Sequence, residues 1–138
     1  ANARYLRDRM GTVNGVSLPE EPPRADPVYH LLSFLVDREA CPWSRDEVIN
    51  RLRGQGLPVF AYIPRPVHRM KRLNPDGYSG PPVLWHSWLE QSGIDYTTTS
   101  CPGAELRSEQ AFEMAWNFIT EETATMDNIA GAFLKALS

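Results

Sequence analysis

The sequence predicts a two-layer α/β sandwich, an α+β arrangement in which about three strands form a sheet covered on one side by helices. Two apolar runs rich in β-branched and aromatic residues, Val28 to Val36 and Leu57 to Ile63, are separated by a segment with a helix start signal. A third stretch alternates Phe112, Met114 and Trp116 with Ala111, Glu113 and Ala115, the period of a strand with one buried face. Apolar stripes at helical spacing occur near both ends of the chain. The 138 residues fit one domain, 1–138, long enough to bury a core.

The elements follow in chain order. Ala3, Leu6 and Met10 share one face of a first helix, which Gly11 and the Asn14-Gly15 pair stop. Four prolines between Pro19 and Pro27 make an extended connection. Val28 to Val36 is too continuously apolar for a one-faced edge strand and reads as central. Ser44, three residues before Glu47 and ahead of Val48, Ile49 and Leu52, is a capping box opening a helix that Gly54 and Gly56 end. Leu57 to Ile63 is a second strand, closed by Pro64 and Pro66. Arg65 to Pro82 is a long basic loop, followed by a short helix with Leu84, Trp85, Trp88 and Leu89 that ends at Gly93. Pro102 starts another short helix. The strand of Phe112 to Trp116 follows, and then a final helix capped by Thr125, with Ile129, Ala132, Phe133, Ala136 and Leu137 on one stripe.

Composition excludes several functions. Fourteen basic against 17 acidic side chains give a net charge of −3, without the clustered positive face that nucleic acid requires. No apolar run approaches the ~18 residues of a membrane span, and no signal peptide opens the chain, so a soluble cytoplasmic protein is expected. Cys41 and Cys101 are 60 residues apart with no metal-ligand spacing nearby and read as ordinary buried or half-buried thiols. Twelve of the basic residues are Arg, and Lys71 and Lys135 are the two lysines, which restricts any chemistry that needs an amine.

Among candidate site residues, His30 falls inside the apolar strand and reads as a hydrogen-bonded core residue. His86, on the Trp85/Trp88 helix, reads as solvent-facing. His68 stands beside Arg65 and Arg69 at the start of the loop, where it is either a site residue or a solvated histidine. Arg65, Arg69, Lys71 and Arg72 form a positive patch suited to a phosphate or carboxylate. Trp85, Trp88 and Trp116 have spacings that fit core or interface better than ligand stacking. No phosphate-binding Gly-rich turn, nucleophile elbow, metal-ligand pair or Ser/His/Asp pattern is present, so no catalytic, cofactor-binding or metal-ligating residue is assigned within the chain.

Several segments, taken in order, resemble the C-terminal part of the DegT/DnrJ/StrS sugar aminotransferases. They are Asn2 to Leu6, Pro27 to Leu31, Ser44 to Val59, Tyr62-Ile-Pro-Arg-Pro-Val-His68, Cys101-Pro-Gly-Ala-Glu105 and Met126 to Lys135. The resemblance implies the small domain of a fold-type I enzyme that uses pyridoxal 5'-phosphate to move an amino group, usually from Glu or Gln, onto a keto-sugar or keto-cyclitol. Such enzymes serve sugar, cyclitol and antibiotic biosynthesis. It further implies that the large domain, with the cofactor-binding lysine, the acidic partner of the pyridine nitrogen and most phosphate ligands, lies outside these residues. Chemistry of this kind needs a lysine amine, and neither Lys71 nor Lys135 is placed like the family's.

The cofactor is therefore expected to be bound mainly by a partner chain carrying the large domain, in a heterodimer or higher oligomer. A chain that opens on Ala1 also fits one part of a longer enzyme. By position, His68 matches the family's His near the mouth of the active site, and Tyr62 matches the Tyr or His two residues before the first Pro of that segment. Trp116 and Asn117 fall where the family's chain approaches that site, and Arg65 and Arg69 complete the substrate-facing or partner-facing set. Ile63 stands where the family often has Tyr, and Met70 where Gln is frequent. The stretch from Pro82 to Ser100 looks more like members that act on cyclitols. The reading from a different class is a non-catalytic binding or regulatory module derived from the same domain.

Overall fold

A computed structural model describes residues 1–11, 13–74, 77–81, 84–115 and 122–138. They divide into two units, Ala1–Tyr62 with Gln110–Ser138, and Ile63–Glu109.

In the first unit, helix α1 (Asn2–Met10) leads into strands β1 (Val16–Ser17) and β2 (Leu31–Val36), followed by helix α2 (Arg45–Gly54) and strand β3 (Val59–Phe60). Strand β4 (Ala111–Ala115) and helix α5 (Thr123–Ala136) complete it. The sheet runs β1-β2-β4-β3 with every pair antiparallel. Strand β2 is flanked on both sides, as the apolar run predicts, but it spans Leu31–Val36 rather than Val28–Val36, with exposed Val28 outside it and only alternate residues buried. In register, Phe34 lies opposite Phe112, and Met114 lies between Leu32 and Val59.

Alternation in β2 and β4 sends Leu32, Phe34, Val36, Phe112 and Met114 to one buried face. There they join Leu6, Val48, Leu52, Met126, Ile129 and Phe133 of α1, α2 and α5 in a single core. Phe34 is the hub: its ring stacks on Phe112 at 5.1 Å and tilts against Phe133 at 4.8 Å. The capping box of α2 forms as the sequence predicts, with the Glu47 amide donating to Ser44 Oγ and the Ser44 amide donating to Glu47 Oε2.

The structure corrects several expectations. The sheet has four strands among the described residues rather than three, because β1 is only two residues long. Its signal is the Asn14-Gly15 pair between Val13 and Val16, where φ values of 46° and 77° make a tight hairpin turn that returns the chain to pair with β2. Gly15 is also required sterically, since a Cβ there would lie 2.6 Å from the Cys41 amide nitrogen. Strand β3 shrinks to Val59–Phe60: the Leu57 amide closes the end of α2 by donating to the Leu52 carbonyl, and Pro58 has no donor. His30 precedes β2 and is exposed, so the core reading of this histidine fails. Helix α5 begins at Thr123 with Glu122 at its cap, leaving Thr125 inside the helix rather than capping it. Of the two thiols, Cys41 is buried and Cys101 is exposed.

The second unit is inserted in the chain between the paired strands β3 and β4. It begins with two short 3-10 turns, Val67–Arg69 and Lys71–Leu73, and continues through helices α3 (Leu84–Ser92) and α4 (Pro102–Gln110). Its aromatic residues do not form a core: Trp85 is 40% and Trp88 58% exposed, while Leu89 of the same helix is buried. His86 is half-buried rather than solvent-facing, its Nε2 hydrogen-bonded at 2.7 Å to the Arg72 carbonyl, which also accepts from Trp85 Nε1. No described helix is long and apolar enough to cross a membrane.

Candidate functional site

The proline-rich exit of β3 sets up the site. Pro66, extended at φ −67° and ψ 155°, caps the first 3-10 turn, and its carbonyl accepts from the Arg69 amide. That turn folds His68 inward, so the side chain is only 7% exposed while Val67 and Arg69 on either side stay exposed. A buried imidazole needs a polar partner. It finds one in Glu105, 37 residues later, with Nε2 at 2.8 Å from Oε1.

Helix α4 presents this carboxylate. Pro102 occupies the first helical position, where the missing amide costs nothing, and Glu105 lies in the first turn, where the free amides and the helix dipole favour a negative charge. Oε1 of Glu105 also accepts from the Cys101 amide at 3.2 Å and from Arg69 Nη2 at 3.4 Å. Arg69 Nη1 donates to the Thr97 carbonyl at 3.1 Å, so this guanidinium links the 3-10 turn to the segment before α4. His68, Arg69, Thr97 and Glu105 therefore form one network within the second unit.

The Glu105 carboxyl is held below its ordinary value of 4.5, chiefly by the hydrogen bond from His68 and next by the Cys101 amide, with a smaller contribution from the Arg69 charge. A charged carboxylate only accepts, which assigns the shared proton to His68 Nε2. Because the folded-state value is depressed, the stability that Glu105 contributes is fully present above pH 4.5 and is lost as pH falls through the lower folded value. Urea unfolding of wild type and Glu105→Gln should give stabilities that differ most near neutral pH and converge below pH 4.5. A constant difference from pH 7 down to pH 3 would contradict this role for the carboxylate.

A cavity of about 140 Å³ adjoins the network, lined by His68, Arg69, Lys71, Asn74, Gly77, Tyr96 and Thr97. Of the residues expected at a site, His68 and Arg69 are brought together here. Arg65 is exposed in the same unit and takes no part in the network. Tyr62 ends the first unit, 59% exposed, its amide donating to Glu113 Oε2 at 2.9 Å and its ring edge-on to Phe60 at 6.3 Å. Trp116 and Asn117 lie outside the described residues. Glu105 is a site residue that sequence alone does not mark as one: a Glu shortly after Pro102 is a helix-start signal, and its partner His68 is 37 residues away. Thr97 and Tyr96 carried no signal, because one acts through its carbonyl and the other by lining a cavity.

A lysine that forms a Schiff base is desolvated or set beside another cation in an enclosed site. Lys71 is exposed in the second 3-10 turn and Lys135 is exposed in the last turn of α5. These residues do not by themselves fit pyridoxal phosphate.

No family model matches the chain. Over 66 residues, 48% of this chain, it is 35% identical to dTDP-3-amino-3,4,6-trideoxy-alpha-D-glucose transaminase of Streptomyces venezuelae, and the match covers 16% of that protein. The structure superposes on 3-amino-5-hydroxybenzoic acid synthase with a TM-score of 0.67 and 17% identity, covering 98% of this chain and 32% of that one. It superposes on a DegT/DnrJ/EryC1/StrS aminotransferase from Brucella abortus with a TM-score of 0.61 and 18% identity, covering 99% of this chain and 30% of that one. The chain thus spans about a third of the length of these two solved chains.

Proposed function

We propose that this chain carries a domain of the DegT/DnrJ/StrS aminotransferase type and that its 138 residues are the small-domain part of an enzyme that aminates a keto-sugar or keto-cyclitol. They complete an active site whose lysine and pyridoxal phosphate lie on another chain. The observation that carries the reading is that nearly all of this chain superposes on about a third of a DegT/DnrJ/EryC1/StrS aminotransferase chain; the exposure of both lysines agrees with it.

In this arrangement the cofactor supplies the amino-group chemistry and the present chain supplies positioning. Glu105 fixes the orientation of His68, and Arg69 ties the loop that bears His68 to the Thr97 segment. The loop thereby offers a fixed polar surface, with its imidazole and guanidinium spacing set before a substrate arrives, and such preorganisation lowers the ordering cost of binding. Tyr62 and Arg65 are the exposed residues assigned to face substrate or partner.

The partner is a chain that carries a fold-type I large domain. Mixed with this chain at micromolar concentration, it should give a complex heavier than either component in sedimentation analysis. Two independently sedimenting species would contradict the proposal.

A further inference from the structure

We propose that the cavity beside His68 is an anion subsite that takes one phosphate group, held by Arg69 and Lys71. This names a binding chemistry for the second unit and is tested on the present chain alone, so its failure and a failure of the proposed aminotransferase assembly are separable.

Among the described lining residues, none is acidic, and Arg69 and Lys71 both contribute to the wall. Among the described residues, the carboxylates of Glu105 and Asp95 are turned onto protein donors. Oε1 of Glu105 faces His68, Cys101 and Arg69, while Oδ1 of Asp95 accepts from the Thr97 amide at 2.8 Å and from Thr97 Oγ1 at 2.6 Å. The wall therefore presents two cationic side chains, Arg69, which is ion-paired with Glu105, and Lys71, in a chain whose overall charge is −3.

The donors exceed what the protein uses. The Arg69 guanidinium has five N–H groups, two of which are committed, to Thr97 and Glu105. No hydrogen bond or ion pair engages the Lys71 ammonium among the described residues. The Asn74 side chain uses Oδ1 to accept from the Gly77 amide, and its amide hydrogens meet no acceptor among the described residues. This supply suits a group with three acceptor oxygens and a double charge better than a carboxylate with two. Size sets the rest: about 140 Å³ is well under the roughly 300–1,000 Å³ of sites that enclose a drug-sized ligand, so the cavity takes one phosphate group and leaves the remainder of any larger molecule outside.

The test is calorimetric titration of the 138-residue chain with sodium phosphate, pyrophosphate, a nucleoside diphosphate and glutarate, with circular dichroism to confirm folding of each variant. Phosphate or pyrophosphate should bind at millimolar concentration or better, with affinity falling as salt rises. Lys71→Gln should weaken binding about tenfold, the scale of one charge-assisted hydrogen bond, and Lys135→Gln should leave it unchanged. Tighter binding of the nucleoside diphosphate than of free phosphate identifies a nucleotide-linked ligand, and equal binding identifies a simple phosphate ester; both agree with the proposal. Glutarate binding as tightly as phosphate, equal losses in the Lys71→Gln and Lys135→Gln chains, or no binding of any phosphate compound would overturn it.

Discussion

Replacing His68 with Ala is expected to lower kcat/KM for amino transfer by the assembled enzyme about 100-fold, the order of loss that follows from misplacing a binding group by about an ångström. The side chain is 7% exposed and supplies the shortest of the three contacts to Oε1 of Glu105, at 2.8 Å. Without it, the carboxylate keeps, among the described residues, the 3.2 Å contact to Cys101 and the 3.4 Å contact to Arg69. Arg69 is then drawn toward an under-satisfied anion and away from its position on Thr97. His68→Gln can return a donor to Glu105 and should recover much of the loss. Because His68 acts by holding the loop, KM for the keto substrate should rise more than kcat falls. Steady-state kinetics on the assembled enzyme separate these outcomes. Unchanged kinetics in a folded His68→Ala chain would remove His68 from the site.

The second large effect concerns stability. Phe34→Ala should destabilise the first unit by about 3–5 kcal/mol, the range for deleting a buried aromatic side chain. Phe34 is fully buried, pairs in register with Phe112 and touches both Phe112 and Phe133, so its removal opens a void between the sheet and α5 that neither neighbour can fill from a fixed backbone. Since domains are stable by only about 5–15 kcal/mol, such a loss leaves little margin. Phe34→Leu keeps much of the volume and should cost less than half as much. Urea denaturation at neutral pH measures both. A loss below 1 kcal/mol for Phe34→Ala would show that this ring is not central to the core.

The parts of the fold legible in the sequence are those where pattern and burial coincide. Ser44 and Glu47 mark the start of α2 because a capping box satisfies backbone amides locally and needs no tertiary information. Phe112 and Met114 mark β4 because alternation maps directly onto a half-buried sheet. What escaped depends on contacts distant in sequence. Strand β1 is two residues long and exists through pairing with Leu35 and Val36. His30 looked internal because its neighbours are apolar, yet the strand starts one residue later. Trp85 and Trp88 show helical spacing, which indicates a helix but not which side of it is covered.

The site divides in the same way. His68 and Arg69 were legible from their setting beside two prolines in a basic loop. Sequence left open whether His68 was solvated, and the partner that decides this is Glu105, brought in by α4 from 37 residues away. The scarcity of lysine was legible as composition, and its meaning depends on exposure: Lys71 and Lys135 both lie on the surface of their units.

The central claim is that this chain completes an aminotransferase site it does not contain. The direct measurement is the rate of amino transfer from glutamate or glutamine to a keto-sugar or keto-cyclitol, made with this chain, with a large-domain chain, and with their mixture, pyridoxal phosphate being present throughout. Activity in the mixture alone is the predicted result. Full activity of either chain by itself, or an associated mixture that transfers no amino group, would contradict the account.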